Sequence, residues 1–226
     1  MAEAKKSPIM LIAIAAVVII AGAGWFFTQG SNEAVEPAMA ASETSSEATQ
    51  ADGEERVDLF LGDADAPIEF IEYASYTCPH CATFHQTVYP KLKAEFIDTG
   101  KVKFILREVY FDQFGLAAGL LARCGGDIRY YGIADLLFEK QSEWATGSGE
   151  AVVQNLYRIG RQAGLEDAQM QACMQDQELS KALVADFQLK AGRDDVNATP
   201  SFVINGEKVS NESWSELKVR LEGLLN

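Results

Sequence analysis

The chain has 226 residues, of which 48% are apolar, and its formal net charge at pH 7 is −14. A chain of this length and composition can bury one sizeable core, or two small ones, without dense cross-linking. Acidic residues outnumber basic ones, and no Lys/Arg cluster supplies the basic surface that phosphate binding needs. We therefore expect no nucleic acid partner.

An uncharged apolar stretch, residues 8–27, follows Lys5 and Lys6 near the N-terminus. As a helix it would be about 30 Å long, which matches the hydrocarbon core of a bilayer. The positive-inside rule then leaves residues 1–7 in the cytoplasm and the remainder outside. We interpret the stretch as an uncleaved, single-pass membrane anchor. A cleavable signal peptide is the alternative, because it also has a basic start and an apolar run.

Residues 28–56 differ sharply in composition from the stretch before them. They are rich in acidic and small polar residues, with only Val35 and Met39 as larger apolar side chains. Such a segment cannot bury enough apolar surface to offset the entropy of ordering it. We predict a disordered linker that tethers a globular domain within a reach of about 30 Å.

The globular part is predicted to begin at residue 57 and to contain a strand, a helix and a second strand. Residues 70–75 and 102–107 combine aromatic and branched side chains in short runs that are typical of buried strands. Between them, Pro79 suits the first position of a helix, and Pro90 predicts a kink in it. A crossover of this kind places its two strands parallel.

Residues 112–193 change to the periodicity of helices, with leucine-rich stripes at three- and four-residue spacing. We interpret them as an all-helical insertion. The flanking residues 57–111 and 194–226 would together form one α/β domain.

The last part of the chain carries a strong hairpin signal. Asn205-Gly206 separates residues 201–204 from residues 207–210, and both turn positions of such a hairpin need positive φ. Apolar residues at three- and four-residue spacing then predict a final helix over residues 213–225.

The chemistry is expected in the run Cys78-Pro79-His80-Cys81, where two cysteines at a helix start can close a small disulfide. Cys78 is predicted at the N-cap, where free N–H groups and the helix dipole favour a thiolate, while Cys81 lies one turn inside. A protonated His80 would add to this effect. A stabilised thiolate favours the reduced form, which makes the disulfide an oxidant. Cys78 is then the sulfur that partners attack, and Cys81 is the resolving one.

Two other uses of the motif fit the sequence less well. Half of a zinc site could use His80 or His85, but no second Cys or His pair lies at zinc-ligand spacing. Covalent haem attachment needs a histidine directly after the second cysteine, where Ala82 stands. We therefore expect no metal and no cofactor. His85 lies one residue off the apolar stripe of its helix, so it is predicted to be a surface or rim residue rather than a catalyst.

Three segments resemble the DsbA family of the thioredoxin superfamily, particularly its alphaproteobacterial branch. They are EYASYTCPHC at residues 72–81, REVYF at 107–111 and ATPSF at 198–202, and the likeness covers residues 58–226. The resemblance implies a thioredoxin fold with an inserted helical domain. It also implies an enzyme of the periplasm, held at the bacterial inner membrane, that oxidises cysteines of newly exported proteins. Reoxidation would come from a quinone-coupled membrane oxidase like DsbB.

The resemblance assigns roles to three further residues. Glu72 resembles the buried acid of the family that accepts the proton of the resolving thiol, here Cys81; a purely structural glutamate is the alternative. Thr199-Pro200 resembles the loop whose cis peptide faces the active-site disulfide and presents its backbone to an extended substrate.

Cys124 and Cys173 lie in the predicted helical insertion. An even number of cysteines in an exported domain favours a second disulfide, and the local Cys78-Cys81 pair leaves these two for each other. Two free buried thiols are the alternative. The role expected of this second disulfide is structural.

Three classes of function remain consistent with the sequence. The first is an oxidase that donates the Cys78-Cys81 disulfide; the second is an isomerase or reductase that another protein keeps reduced. The third is a tethered peptide-binding or chaperone-like module in which the pair is only structural. Isomerases of this superfamily usually carry a dimerisation domain, which residues 28–56 cannot form. We therefore favour a monomeric oxidase.

Overall fold

The computed structural model describes residues 55–226. The predicted anchor over residues 8–27 lies outside the described residues, as does all of the predicted linker except its last two residues. Within residues 55–226, none of the helices has both the length and the apolar character needed to cross a bilayer.

One mixed sheet of five strands forms the centre of the described region, in the order β1-β3-β2-β4-β5. The strands are β1 (Phe60–Leu61), β2 (Ile68–Ala74), β3 (Val102–Glu108), β4 (Ser201–Ile204) and β5 (Glu207–Val209). β2 and β3 are parallel, and all other neighbours are antiparallel. The predicted crossover with parallel strands is confirmed.

Helices cover the sheet and fill the long segment between β3 and β4. They are α1 (Pro79–Thr87), α2 (Tyr89–Leu92), α3 (Gln113–Arg123), α4 (Asp127–Glu139), α5 (Gln141–Trp144), α6 (Gly149–Gln162), α7 (Asp167–Met174), α8 (Gln177–Arg193) and α9 (Trp214–Leu224). Every element from α3 to α8 lies between β3 and β4, so the predicted all-helical insertion is confirmed.

The helix after β2 is interrupted near Pro90, as predicted. α1 ends at Thr87, and a short α2 follows that passes into a π-helical turn, Lys93–Ile97. Proline has no N–H to donate to the carbonyl four residues earlier, and its ring crowds that carbonyl, so a regular helix cannot continue through it.

The hairpin of β4 and β5 turns at Asn205 and Gly206, whose φ angles are +49° and +83°. The backbone and side chain of Asn205 also bond the backbone of Glu69 in β2, at 3.0 and 2.8 Å. This contact ties the end of β4 to the start of β2, and β4 is thereby held beside the centre of the sheet.

β2 is buried on both faces, as its sequence predicted. On one face, the Phe70 ring packs against those of Phe104 and Phe202, with ring centroids 5.9 and 5.4 Å apart. On the other face, Ile71 and Tyr73 belong to a smaller apolar cluster. Close packing of aromatic and aliphatic side chains on both faces holds β2 in place at the centre of the core.

The predicted linker and the helical insertion meet at the start of the described region. Lys190 of α8 is buried, and its Nζ donates to the Arg56 carbonyl at 2.7 Å and to the carboxylates of Asp58 and Asp186 at 2.8 and 3.0 Å. Glu55 pairs with Arg193 of the same helix at 2.8 Å. The last two residues assigned to the linker are therefore attached to α8, because α8 carries basic side chains that match their carbonyl and carboxylate groups.

Candidate active site

The two cysteines lie at the start of α1, after the turn that follows β2. Cys78 is the N-cap of α1, with extended φ and ψ of −82° and 119°, and Pro79 occupies the first turn. A backbone bond from the Cys78 N–H to the Ser75 carbonyl, 3.1 Å long, closes the turn after β2. This geometry aims the unpaired N–H groups of the first turn towards the Cys78 side chain.

Gln141 of α5, in the helical insertion, stabilises this turn. Its buried side-chain amide donates to the carbonyls of Tyr76 and Cys78, at 2.7 and 2.8 Å. Nothing in the local sequence pattern indicates this contact, since Gln141 is 63 residues away from Cys78. The insertion therefore helps to set the position of the reactive sulfur.

Cys78 and Cys81 are both free thiols in the structure, and they differ in exposure and acidity. Cys78 is half-buried. Burial by itself raises its pKa, but groups that can donate to the thiolate, the Thr199 hydroxyl and the backbone N–H groups of Cys81 and His80, outweigh burial and leave the pKa below the ordinary value. His80 is exposed beside it. Cys78 is the sulfur that solvent and substrates can reach.

Cys81 has the opposite character. It is fully buried, and burial together with the negative charge of Glu72 raises the pKa of its thiol well above the ordinary value. A thiolate formed at this position is therefore unstable and takes up a proton. The two sulfurs thus have the unequal properties expected of an exposed attacking thiol and an internal resolving thiol.

The loop before β4 faces Cys78. The Thr199-Pro200 peptide is cis, and the Cys78 Sγ–H donates to the Thr199 carbonyl at 3.6 Å. The Thr199 hydroxyl is buried and has no partner within the described residues. In the thiol form, the Cys78 sulfur thus donates to the Thr199 carbonyl. In the thiolate form, the sulfur accepts from the Thr199 hydroxyl, and this contact lowers the pKa of Cys78. Both residues assigned by resemblance lie at the site.

Glu72 is fully buried in β2, and its Oε2 lies 2.9 Å from Nε2 of His85. The prediction that His85 is a surface or rim residue is wrong, because the residue is buried. Its ring stacks on Phe138 of α4 with centroids 3.8 Å apart, and it also contacts Tyr89 at 4.7 Å. Packing of α4 against α1 buries the ring. The spacing held a signal, because His85 follows Cys81 by four residues and therefore shares its helix face.

Cys124 and Cys173 form a disulfide within the helical insertion, with their Cα atoms 5.7 Å apart. Cys124 is the C-cap of α3, and Cys173 lies in the last turn of α7. Residues 55–226 contain no group of three or more His, Cys, Asp or Glu side chains that could hold a metal ion.

A family model described as thioredoxin matches residues 54–222. A Rickettsia bellii protein, provisionally named a protein-disulfide oxidoreductase, is 33% identical over 171 residues, which are 73% of this chain and 63% of that protein. Disulfide bond formation protein D of Bacillus subtilis is 27% identical over 174 residues, 72% of this chain and 74% of that protein. The match thus spans less than two thirds of the length of the Rickettsia relative.

Solved structures agree with these sequence relatives. Crystalline alpha-DsbA1 of Wolbachia pipientis superimposes with a TM-score of 0.70 at 29% identity, over 75% of this chain and 92% of that one. Oxidised BdbD of Bacillus subtilis has the same fold, with a TM-score of 0.66 at 24% identity over 74% of this chain and 92% of that one. The helix-start cysteine pair, the facing Thr199-Pro200 loop and these likenesses lead to one conclusion: the chain belongs to the thioredoxin family and, within it, to the DsbA family.

Proposed function

We propose that the protein is a thiol:disulfide oxidoreductase that donates the Cys78-Cys81 disulfide to reduced cysteines of exported proteins. The observation that supports the proposal most is the difference in acidity between the two sulfurs. The pKa of Cys78 is lowered and that of Cys81 is raised, so the exposed sulfur is the better leaving group and the buried one the better proton acceptor.

The reaction follows from this asymmetry. A substrate thiolate attacks Sγ of Cys78 in the disulfide form; a mixed disulfide forms, and the electron pair of the broken S–S bond passes to Cys81, which takes up a proton. A second substrate thiolate then attacks the substrate sulfur of the mixed disulfide. The Cys78 thiolate leaves, so the substrate is oxidised by two electrons and the protein is reduced by two.

The cellular setting is part of the same proposal. Residues 8–27 would anchor the chain in the bacterial inner membrane, and residues 28–56 would let the domain reach exported substrates on the periplasmic side. Return to the disulfide form needs a two-electron acceptor, for which a quinone-coupled, DsbB-like membrane oxidase is the expected partner. The name of the Bacillus subtilis relative, a disulfide bond formation protein, supports oxidation as the direction.

The test is a single turnover of the full chain in its disulfide form with a reduced peptide that contains two cysteines. We expect one equivalent of peptide disulfide and one equivalent of protein dithiol. Cys78→Ser is the matched control, because it removes the attacked sulfur and keeps Cys81. A protein that instead reduces or rearranges peptide disulfides, and fails to oxidise the dithiol, would be a reductase or isomerase.

A further inference from the structure

Glu72 and His85 form a buried pair that has more hydrogen-bonding capacity than it uses. Oε2 of Glu72 bonds Nε2 of His85 at 2.9 Å, and both side chains are almost wholly shielded from solvent. Oε1 of Glu72 and Nδ1 of His85 are buried and have no partner within residues 55–226. Unsatisfied buried atoms cost stability, and replacing a buried pair by apolar residues is often neutral or stabilising. The pair is therefore poorly explained as a device for stability.

Glu72 links the pair to the redox reaction through Cys81. The electron pair of the broken disulfide passes to Cys81, which is buried and becomes a neutral thiol, so one proton has to reach it in each turnover. The same proton has to leave when the disulfide forms again. Glu72 interacts with this sulfur, as its charge raises the pKa of Cys81. The fully buried Cys81 cannot exchange a proton with bulk water directly.

The other member of the pair, His85, lies beside a cavity. His85 lines a cavity of about 340 Å³ between α1, α2 and α4, whose other lining residues are Gln86, Tyr89, Pro90, Lys93, Asp135 and Glu139. Asp135 is half-buried there, and burial raises its pKa while the positive charges of His85 and Lys93 oppose this. The hydroxyl of Tyr89 is likewise buried and unpartnered within the described region. The cavity is large enough for water, and its mainly apolar lining includes the ionisable side chains of Lys93, Asp135 and Glu139, which can hold water by hydrogen bonds.

We propose that His85 relays protons between this cavity and Glu72, which exchanges them with Cys81. During reduction of the protein, Nδ1 takes a proton from cavity water, the Nε2 proton moves to Oε2 of Glu72, and Glu72 gives a proton to the Cys81 sulfur. One proton leaves the cavity and one S–H bond forms. Reoxidation reverses each transfer, so the relay is reset in every cycle. His85 acts through Glu72 and does not touch the reacting sulfurs.

The groups that face His85 are compatible with this role. The titratable and charged ones are Glu72 on β2, Tyr89 on α2, Lys93 on the π-helical turn, and Asp135 and Glu139 on α4. Phe138 covers the ring face. Acidic side chains therefore stand on both sides of the ring, Glu72 on one side and Asp135 and Glu139 on the cavity side. The inference rests on the proposed redox chemistry of Cys78 and Cys81, whichever its direction in the cell.

The test measures reduction of the Cys78-Cys81 disulfide by excess dithiothreitol, with rapid acid quench and thiol labelling, in the full chain. This readout needs Cys81 to be protonated whether or not the protein is an oxidase. His85→Gln keeps a hydrogen-bonding group opposite Glu72 but cannot relay a proton. A positioned proton donor is worth about 10²- to 10⁴-fold, and because water partly substitutes for it, we expect reduction to slow by at least about 10-fold. The pH dependence of the rate should also change.

Chemical rescue separates a relay from a structural role. His85→Ala leaves space beside the cavity, and added imidazole should restore much of the lost rate, whereas pyrazole, which has a similar shape but is a far weaker base, should not. Lys91→Ala, an exposed change on α2 outside the cavity lining, is the matched control and should behave as the parent. Parent-like rates and pH profiles in His85→Gln, or equal rescue by both azoles, would overturn the relay.

A milder variant covers the case in which substitutions of His85 prevent folding. Asp135→Asn keeps the Glu72–His85 bond and removes an ionisable group from the cavity, so we expect slower reduction and a shifted pH profile. An unchanged rate and profile would overturn the relay. Failure of the parent to oxidise reduced peptides, combined with His85-dependent reduction by dithiothreitol, would overturn the proposed oxidase function and leave the relay standing.

Discussion

The sulfur of Cys78 lies 3.6 Å from the carbonyl oxygen of Thr199, although 121 residues separate them in the chain. The contact exists because β4 pairs with β2 in the sheet, which brings the loop before β4 beside the turn after β2. The entire helical insertion lies between the two in sequence. The site is therefore formed by the two segments of the thioredoxin-like domain, one before and one after the insertion. The insertion adds a contact of its own through Gln141.

The acidity of Cys78 predicts how stability depends on pH. The folded reduced protein releases the Cys78 proton at a lower pH than the unfolded chain, so this stabilisation is present above the unfolded pKa of about 8.5 and is lost as pH falls through the folded pKa. The pKa of Cys81 is raised on folding, so its contribution to the free energy of unfolding is present below a pH of about 8.5 and is lost above it. Neither group titrates in the disulfide form.

The Tm of the reduced form should therefore rise relative to that of the disulfide form as pH increases from below the folded pKa of Cys78 towards about 8.5. Differential scanning calorimetry of both forms across this interval measures the difference. Reduced Cys78→Ala is the control and should lack the rise. A difference in Tm that stays constant with pH would contradict the assignment of a low pKa to Cys78.

Thr199→Val is expected to raise the pKa of Cys78. The Thr199 hydroxyl is buried beside the sulfur and contributes to the lowered pKa, and valine keeps the shape but cannot donate. Alkylation rates of the reduced protein as a function of pH give the value directly. Ser201→Ala is a suitable control, because its hydroxyl donates to the Ala198 carbonyl of the same loop. Equal titration of Cys78 in the parent and Thr199→Val would show that the hydroxyl does not stabilise the thiolate.

Gln141→Leu should destabilise the protein by about 1 to 3 kcal/mol, because it leaves the buried carbonyls of Tyr76 and Cys78 without a donor. The position of Cys78 should also become less well defined, so its reactivity should change. Urea unfolding and alkylation measure the two effects. Gln86→Leu is the matched control, since its amide also donates to two carbonyls, those of Phe138 and Glu139, away from Cys78. A loss of stability with Cys78 reactivity unaltered in Gln141→Leu would limit the role of Gln141 to folding.

The Cys124–Cys173 disulfide should act on stability alone. It closes a loop across a sequence separation of 49 residues. In the chain-entropy account, removal of such a crosslink costs about 4 kcal/mol. We expect Cys124→Ala with Cys173→Ala to lower the denaturant midpoint by a corresponding amount while the pKa of Cys78 and the rate of peptide oxidation remain those of the parent. Lost oxidation in a double variant of full stability would show that this disulfide takes part in the redox reaction.

Much of this protein could be predicted from short stretches of its sequence. The Cys78-Pro79-His80-Cys81 run, with proline at the first helical position, is a local signal, and so is Asn205-Gly206 at the hairpin turn. Both depend on backbone preferences of a few adjacent residues, which the chain carries with it wherever it folds. The pairing of β2 with β3 followed from hydrophobic patterns and the handedness of a short crossover.

Tertiary packing alone decided the surroundings of the two sulfurs. His85 seemed peripheral on its own helix, but Phe138 of the insertion covers it and Glu72 of the sheet binds it. Gln141 reaches Cys78 from a separate helix. The pKa of a thiol depends on burial and on charges within a few ångströms, and those neighbours come from segments far apart in the chain. Sequence therefore identified the reacting atoms and the effect of the helix start on Cys78, while only the fold supplied the distant neighbours, Thr199 and Glu72, that also act on the acidity of the two sulfurs.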